Sequence, residues 1–455
     1  MSLIIPANTL ASGGFAVANS CRFNIASSDN LSRTPSSGSN RKTFTISMWV
    51  KGTTTTTQTL MSAGETSGAY TFNVQWDSSK LSIIGNADSS SIMNLKTTRL
   101  FRDFSAWYHF VLAFDTTQGT DTNRVKVYVN GVQETSFSTS TYPSQNTNIQ
   151  INNNTPHSFG KSAVNNQFWG GYMAELILID GSALAPTDFG EFDEDSGIWK
   201  PINVSGLTFG TNGFYLDFEA SGNLGNDANG GTDLTEVNLA ATDQATDTCT
   251  NNFCTMNPLI PTTNATFSQG NCKLTIGGSS IQGAGIGTFG LTAGKWYFEV
   301  KLLADKDNHT HGAISELTAE LNANVTAIQN DVGVTSWING DGGEVVVDGT
   351  ATTADYGIMA ENSIMGIALD IDNYNITYLD DNSALVSNFN MSSTRGTIFP
   401  LIKMGINCAA EVNFGGCSAF AVSSANSDAD GHGNFEHAPP SGYFAICSKN
   451  LAEYG

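Results

Sequence analysis

Residues 361–381, ENSIMGIALDIDNYNITYLDD, read as two strands and a tight turn. Ile364, Met365, Ile367, Ala368 and Leu369 form a continuous apolar run, which suits a strand covered on both faces. Asp370-Ile371-Asp372-Asn373 follows with turn chemistry, because Asp and Asn side chains cap their own backbone and tolerate a left-handed residue. Ile376-Thr377-Tyr378-Leu379 returns as a second strand, rich in β-branched and aromatic residues. A lone hairpin is marginal in water, so this one implies a large antiparallel sheet around it.

The same pattern recurs on both sides of the hairpin. Towards the N-terminus, strands are expected at 44–50 (FTISMWV), 71–75, 81–84, 108–114 (YHFVLAF), 125–129 (VKVYV), 148–151 and 173–179 (MAELILI). In Val125-Lys126-Val127-Tyr128-Val129 the valines share one face and Lys126 and Tyr128 the other. Asn130-Gly131 follows at once, a strong two-residue hairpin signal. Nearer the hairpin, 294–302 (GKWYFEVKL), 332–337, 398–402 and 410–415 read as strands. Regular strands separated by Gly, Asn and Ser predict an all-β chain of two antiparallel sandwiches in series.

Composition agrees. Charged residues make up only 14% of the 455 residues, against 40% hydrophobic, with 46 glycines, a mix poor in helix formers. The formal net charge is −22, with 20 Lys plus Arg. That leaves no basic footprint for nucleic acid and disfavours anionic membrane surfaces. No apolar run is long enough for a membrane-spanning helix, and MSLIIPANTLASGGF lacks a signal peptide's charged start and long apolar core. The seven cysteines show no metal-ligand spacing and an odd count, and are read as reduced and mostly buried.

The motifs FTISMWV, AWYHFVLAFD, KVYVNG and FWGGYMAELILIDGSAL resemble the laminin-G-like, concanavalin-A-like jelly roll across 20–220. The motifs GKWYFEVKL, DVGVTSW, SIMGIALDIDNYNITYLDD, IFPLIKMG and AEVNFG resemble a SPRY domain across 274–447. Residues 1–19 read as an anchor segment, 221–273 as an ordered linker and 448–455 as a tail. The pairing of the two sandwiches is similar to fibre and tail proteins of marine bacteriophages, as are TNNFCTMNPL and PPSGYFAICSKNLAE. That resemblance implies a virion adhesin, synthesised in the host cytoplasm, that meets other virion proteins through its N-terminal segment. It would attach to a bacterial surface glycan or protein by multivalent loop contacts. Alternatives are a head-fibre or capsid decoration protein without a receptor, and a polysaccharide hydrolase.

Several constellations each carry a functional reading beside an ordinary one. Ile314, Leu317, Leu321, Asn324 and Ile328 fall at helical spacing in an insertion at 304–330, and as heptads they would form a trimer seam, with Asn fixing register. The ordinary reading is one helix packed on its own sheet. His309 and His311 precede it and, on an oligomer axis, would offer a transition metal nitrogen ligands; the ordinary reading is an exposed polar loop. Asp428 and Asp430, in NSDADGHGN, resemble the start of a calcium loop, but His437 stands where the bidentate Glu belongs. Glu191-Phe192-Asp193-Glu194-Asp195-Ser196 is similar to the E-x-D-x-x-E of concanavalin-A-like glucanases, but Ser replaces the last Glu, so it reads as an acidic turn outside any strand and no enzyme is expected. For sugar binding, loop aromatics with polar neighbours are the candidates: Trp337 with Asn339 and Asp341, Tyr356, and in the first sandwich Trp76, Asp77 and Tyr142; the ordinary reading of each is a packed or merely exposed loop residue.

Overall fold

The computed structural model describes residues 14–260, 264–278, 283–304, 311–316, 334–338, 343–352, 354–391, 396–405 and 407–455. The described residues form a nearly all-β structure, and the chain divides into two compact units, with the break between Thr250 and Asn251.

The first unit is a jelly-roll-like laminin G fold of two antiparallel sheets. Thr43–Gly52 lies between Tyr108–Asp115 and Gly171–Asp180 at the centre of one eight-stranded sheet. Gln58–Gly64, Thr71–Asp77, Lys80–Ala87 and Ser90–Thr97 run consecutively through the other. The expected Asn130-Gly131 turn is there: Asn130 has φ 47° and Gly131 φ 78°, and Val129 pairs with Val132. Between the sheets Phe44 stacks on Phe114 at 4.4 Å, and Phe72 meets Phe114 edge-on at 5.7 Å. Removing such rings from water is what holds the layers together.

The first sheet is covered on its outer side too. Ile177, Ile179 and Val111 pack there under Phe189, Val204 and Phe209. The residues Gly190–Phe192 and Trp199–Pro201 form a small hairpin. Glu191 is thus on a strand, contrary to the sequence reading, and the turn proper is built by Asp193, whose Oδ1 accepts the amides of Asp195 and Ser196.

In the second unit Ile364–Asp370 and Asn375–Asp380 pair as the hairpin read from sequence, with Asp370 opposite Asn375. Asp370 caps the turn by accepting the Asn373 amide at 3.1 Å, while Tyr374 takes the left-handed residue at φ 52°. The hairpin lies beside Lys295–Ala304 in an eight-stranded sheet that faces a six-stranded one.

The inserted helix is not found over its described part. Ile314 lies in the strand His311–Glu316, flanked by Ile398–Met404 and Val334–Ile338, and its side chain is buried in the core. Two neighbouring strands satisfy its backbone, which outweighs a three-four spacing that begins at that residue. Leu317, Leu321, Asn324 and Ile328 lie outside the described residues. The described α-helix is Ser448–Tyr454, in the expected tail.

Residues 221–273 do not form a separate linker. Thr235–Val237 and Gln244–Ala245 are strands of the first unit, and Phe253 and Met256 are buried in the second. Each unit is closed by its own ends. In the first, Cys21 pairs with Gln244, and Thr250 Oγ1 accepts the Val17 amide at 3.0 Å. In the second, the Cys254 amide donates to Ile446 O at 3.0 Å, and the Ser448 amide donates to Asn252 O at 2.7 Å. All seven cysteines are free thiols, six of them buried and Cys249 partly exposed. No helix among the described residues is long and apolar enough to cross a membrane.

Candidate functional site

At one end of the first unit, four loops enclose a cleft of about 470 Å³ lined by Arg41, Glu65, Tyr70, Ala87, Thr147, Asn148, Gln150 and Asn153. Each loop is held by local chemistry. Gly64 closes the turn before Tyr70 with φ 129°, and a Cβ there would collide with the Tyr70 carbonyl, so the turn requires glycine. Asp88 and Ser89, at φ 48° and 60°, make the two-residue turn after Ala87. This places Asp88 to accept the Tyr70 hydroxyl, and that bond holds the phenol pKa above its usual value.

The fourth loop was expected to be a strand at 148–151. It is a loop, because Ile149 and Ile151 plug the core while Thr116 ties its backbone: Asn146 N donates to Thr116 O at 2.7 Å, and Thr116 Oγ1 to Thr147 O at 2.8 Å. Asn148 is left exposed, and Asn153 is half-buried, with its amide nitrogen on Gln150 Oε1 at 3.0 Å.

Arg41 Nε donates to Ile149 O at 2.8 Å, and burial lowers the guanidinium pKa. Its terminal amino groups have no protein acceptor among the described residues, and among them the Glu65 carboxylate, across the cleft, accepts only Ser67 Oγ. An arginine fork, a tyrosine face, one carboxylate and three amides on a rigid sandwich suit hydrogen bonding and ring contact with a sugar.

A second cleft of about 340 Å³ lies beside Asp115, Gln118, Asn123, Lys126 and Tyr128, with Ala183–Ala185 as an apolar wall that includes Leu184. Lys126 and Tyr128 share the outer face of Val125–Val129, as their alternation predicted. Asp115 is occupied by Thr117 N, Thr117 Oγ1 and Gln118 Nε2.

The expected site residues fall elsewhere. Trp76 is fully buried, 5.7 Å from the Trp169 ring, and is a core residue rather than a receptor contact. It follows Phe72 and Val74 on the inward face of its strand. Trp337 is likewise fully buried between the sheets of the second unit, 6.5 Å from Tyr378. Tyr142 and Tyr356 are half-buried against the two cores. Asp77 is partly exposed. Burial pushes its carboxyl pKa up, but Lys96 at 2.6 Å with Thr57 and Ser78 outweighs that and holds it below the usual range. Asn339 and Asp341 lie outside the described residues.

The calcium reading of Asp428 is also corrected. Its Oδ1 accepts the amides of Asp430 and His432, and its Oδ2 those of Ala445 and Asn450 Nδ2, so N–H donors fill the positions a cation would need. Asp430 accepts the Tyr454 hydroxyl at 2.7 Å. His311 lies in a strand of the six-stranded sheet, and His309 lies outside the described residues. Among the described residues no three His, Cys, Asp or Glu side chains gather to hold a metal ion.

Buried ionisable groups stand apart from both clefts. His109 Nε2 meets Ser47 Oγ at 2.8 Å, Trp199 Nε1 donates to its Nδ1 at 2.9 Å, and Trp49 stacks on the ring at 4.6 Å. Burial pushes its pKa down to about 3. Glu175, at φ 48° beside a break in strand register, accepts the Tyr215 hydroxyl at 2.8 Å, and burial pushes its carboxyl up to about 8.

The sequence model of the concanavalin A-like lectin/glucanases superfamily, laminin G type, matches residues 26–188. Similar solved structures include the SPRY domain of human HERC1, at TM-score 0.30 and 13% identity over 36% of this chain and 99% of that one. The PSpry domain of TRIM65 has TM-score 0.30 and 12% identity over 35% of this chain and 91% of that one. Mouse laminin alpha1 domains LG4-5 have TM-score 0.30 and 9% identity over 89% of this chain and 92% of that one. No curated protein matches by sequence.

Proposed function

We propose that this protein is a virion fibre or tail adhesin that attaches to a bacterial surface glycan, and that it is a binding protein rather than an enzyme. The observation that carries the reading is the polar cleft of Arg41, Tyr70, Asn148 and Asn153 at the loop end of the first sandwich. Laminin-G-like domains are generally binding modules, which supports the same reading. The virion setting rests on the sequence resemblance to phage fibres, with the N-terminal segment ahead of Val17 as the attachment to other virion proteins.

One such cleft makes few contacts and would bind weakly. Several copies on one particle, as a trimer or higher assembly, convert later binding events into intramolecular ones and raise the overall strength by orders of magnitude. Glycoside hydrolysis would require two carboxylates flanking the scissile bond. The cleft offers Glu65 alone.

The test is binding of the full chain, displayed at high valency, to arrayed bacterial surface polysaccharides. Binding that falls at least about tenfold in the Tyr70→Ala variant, with its melting temperature unchanged, is the expected result. No binding to any glycan or intact cell at high valency overturns the adhesin, and release of reducing sugar overturns the non-enzymatic reading.

A further inference from the structure

We infer that the two clefts of the first unit are subsites for one linear polysaccharide bearing carboxylates, a polyuronate, with Arg41 and Lys126 each receiving a carboxylate. This rests on the adhesin reading and names the class of glycan.

The two clefts repeat one chemistry. The first has a cation, a tyrosine and amides in Arg41, Tyr70 and Asn148; the second has them in Lys126, Tyr128 and Asn123. Repeated chemistry in a binding surface suits a ligand with a repeating unit.

Both cations lack a carboxylate partner in the described chain, although acidic residues outnumber basic ones by 42 to 20. Arg41 spends one N–H on Ile149 O and faces the cleft with its fork unfilled. That planar fork matches a carboxylate's two oxygens. The Lys126 ammonium makes no ion pair or hydrogen bond with the described residues, and the acid beside it, Asp115, is held by Thr117 and Gln118. A half-buried cation left unpaired is costly, and a ligand carboxylate relieves that cost.

The linings of the two clefts are also tied together through one buried residue. Asp115 lines the second, and the next residue, Thr116, bonds to Thr147, which lines the first, and to the carbonyl of Lys42, next to Arg41.

The experiment is calorimetry of the full protein with oligogalacturonates of two and eight residues, and with a neutral octasaccharide as control. The octamer is expected to bind at least about tenfold more tightly than the dimer, and both Arg41→Ala and Lys126→Ala to weaken the octamer about tenfold. Binding should also fall as salt is added. The Lys126 side chain bonds to none of the described residues, so its variant tests the proposal even if Arg41→Ala unfolds. Equal binding of the neutral octasaccharide overturns the acidic class while leaving a glycan adhesin standing. Octamer binding untouched by Lys126→Ala overturns the two-cleft path. No binding to these sugars alongside Tyr70-dependent binding to another glycan overturns this inference alone, and absence of any glycan binding overturns both.

Discussion

Lowering the pH from 7 to 5 should cost the first unit about 2 kcal/mol through His109 alone. Indole nitrogen only donates, so Nδ1 of His109, which receives the Trp199 N–H, carries no proton. The neutral ring therefore has its hydrogen on Nε2 and donates it to Ser47 Oγ. A second proton would have to sit on Nδ1, facing the indole N–H, in a buried site. This is why the folded pKa falls to about 3 from an ordinary 6.5. With the folded value depressed, the unfolded chain takes up its proton first as the pH drops. Stability is whole above about 6.5 and is lost down to about 3, in full about 5 kcal/mol. The assay is urea denaturation of the whole protein at pH 7 and pH 5, followed by fluorescence, since five of the seven tryptophans lie in residues 11–250. His157, buried and pushed down to about 4, adds a loss of similar size. The comparison with His109→Gln, which cannot titrate, isolates the one ring: wild type should lose about 2 kcal/mol more than the variant. Equal losses, or a native His109 resonance titrating between pH 6 and 7, would refute the reasoning.

Two further outcomes follow from the buried groups. Glu175 has the opposite sign: its folded pKa of about 8 lies above the ordinary 4.5, so its contribution is whole below about 4.5 and is lost as the pH rises through 8. Glu175→Gln should therefore gain about 3 kcal/mol on wild type between pH 5 and pH 8, and parallel stability curves would show that the carboxyl is ionised in the folded protein. Trp337→Ala should cost the second unit about 3–5 kcal/mol by leaving a cavity, read as a lowered melting transition, with glycan binding by the folded protein intact; lost binding at unchanged stability would restore it as a contact residue.

The strands were legible where a simple period met a definite turn. Val125–Val129 alternates cleanly and ends in Asn-Gly, and the 364–379 hairpin has an apolar run before its turn. The signal that separates Trp76 from a receptor contact is present in the sequence: Phe72 and Val74 precede it at steps of two, so the face that buries them buries it. Ile314 shows the limit of spacing, because a three-four pattern carries no information about neighbouring strands that can satisfy the same backbone. The cleft had no spacing to read. Arg41, Glu65, Tyr70 and Asn148 come from separate loops and are ordinary surface residues until the two sheets bring their ends together.

Each unit begins and ends at one place, where Cys21 meets Gln244 in the first and Cys254 meets Ile446 in the second. Such a unit is portable. A module whose two ends adjoin can be spliced into a loop of another protein, duplicated or exchanged without stretching its host, because it occupies the gap that a short turn would fill. The same closure gives each unit a last step during synthesis. Its first strand waits without its closing partner until some two hundred further residues have emerged, so the first unit can close on itself before the second has been made.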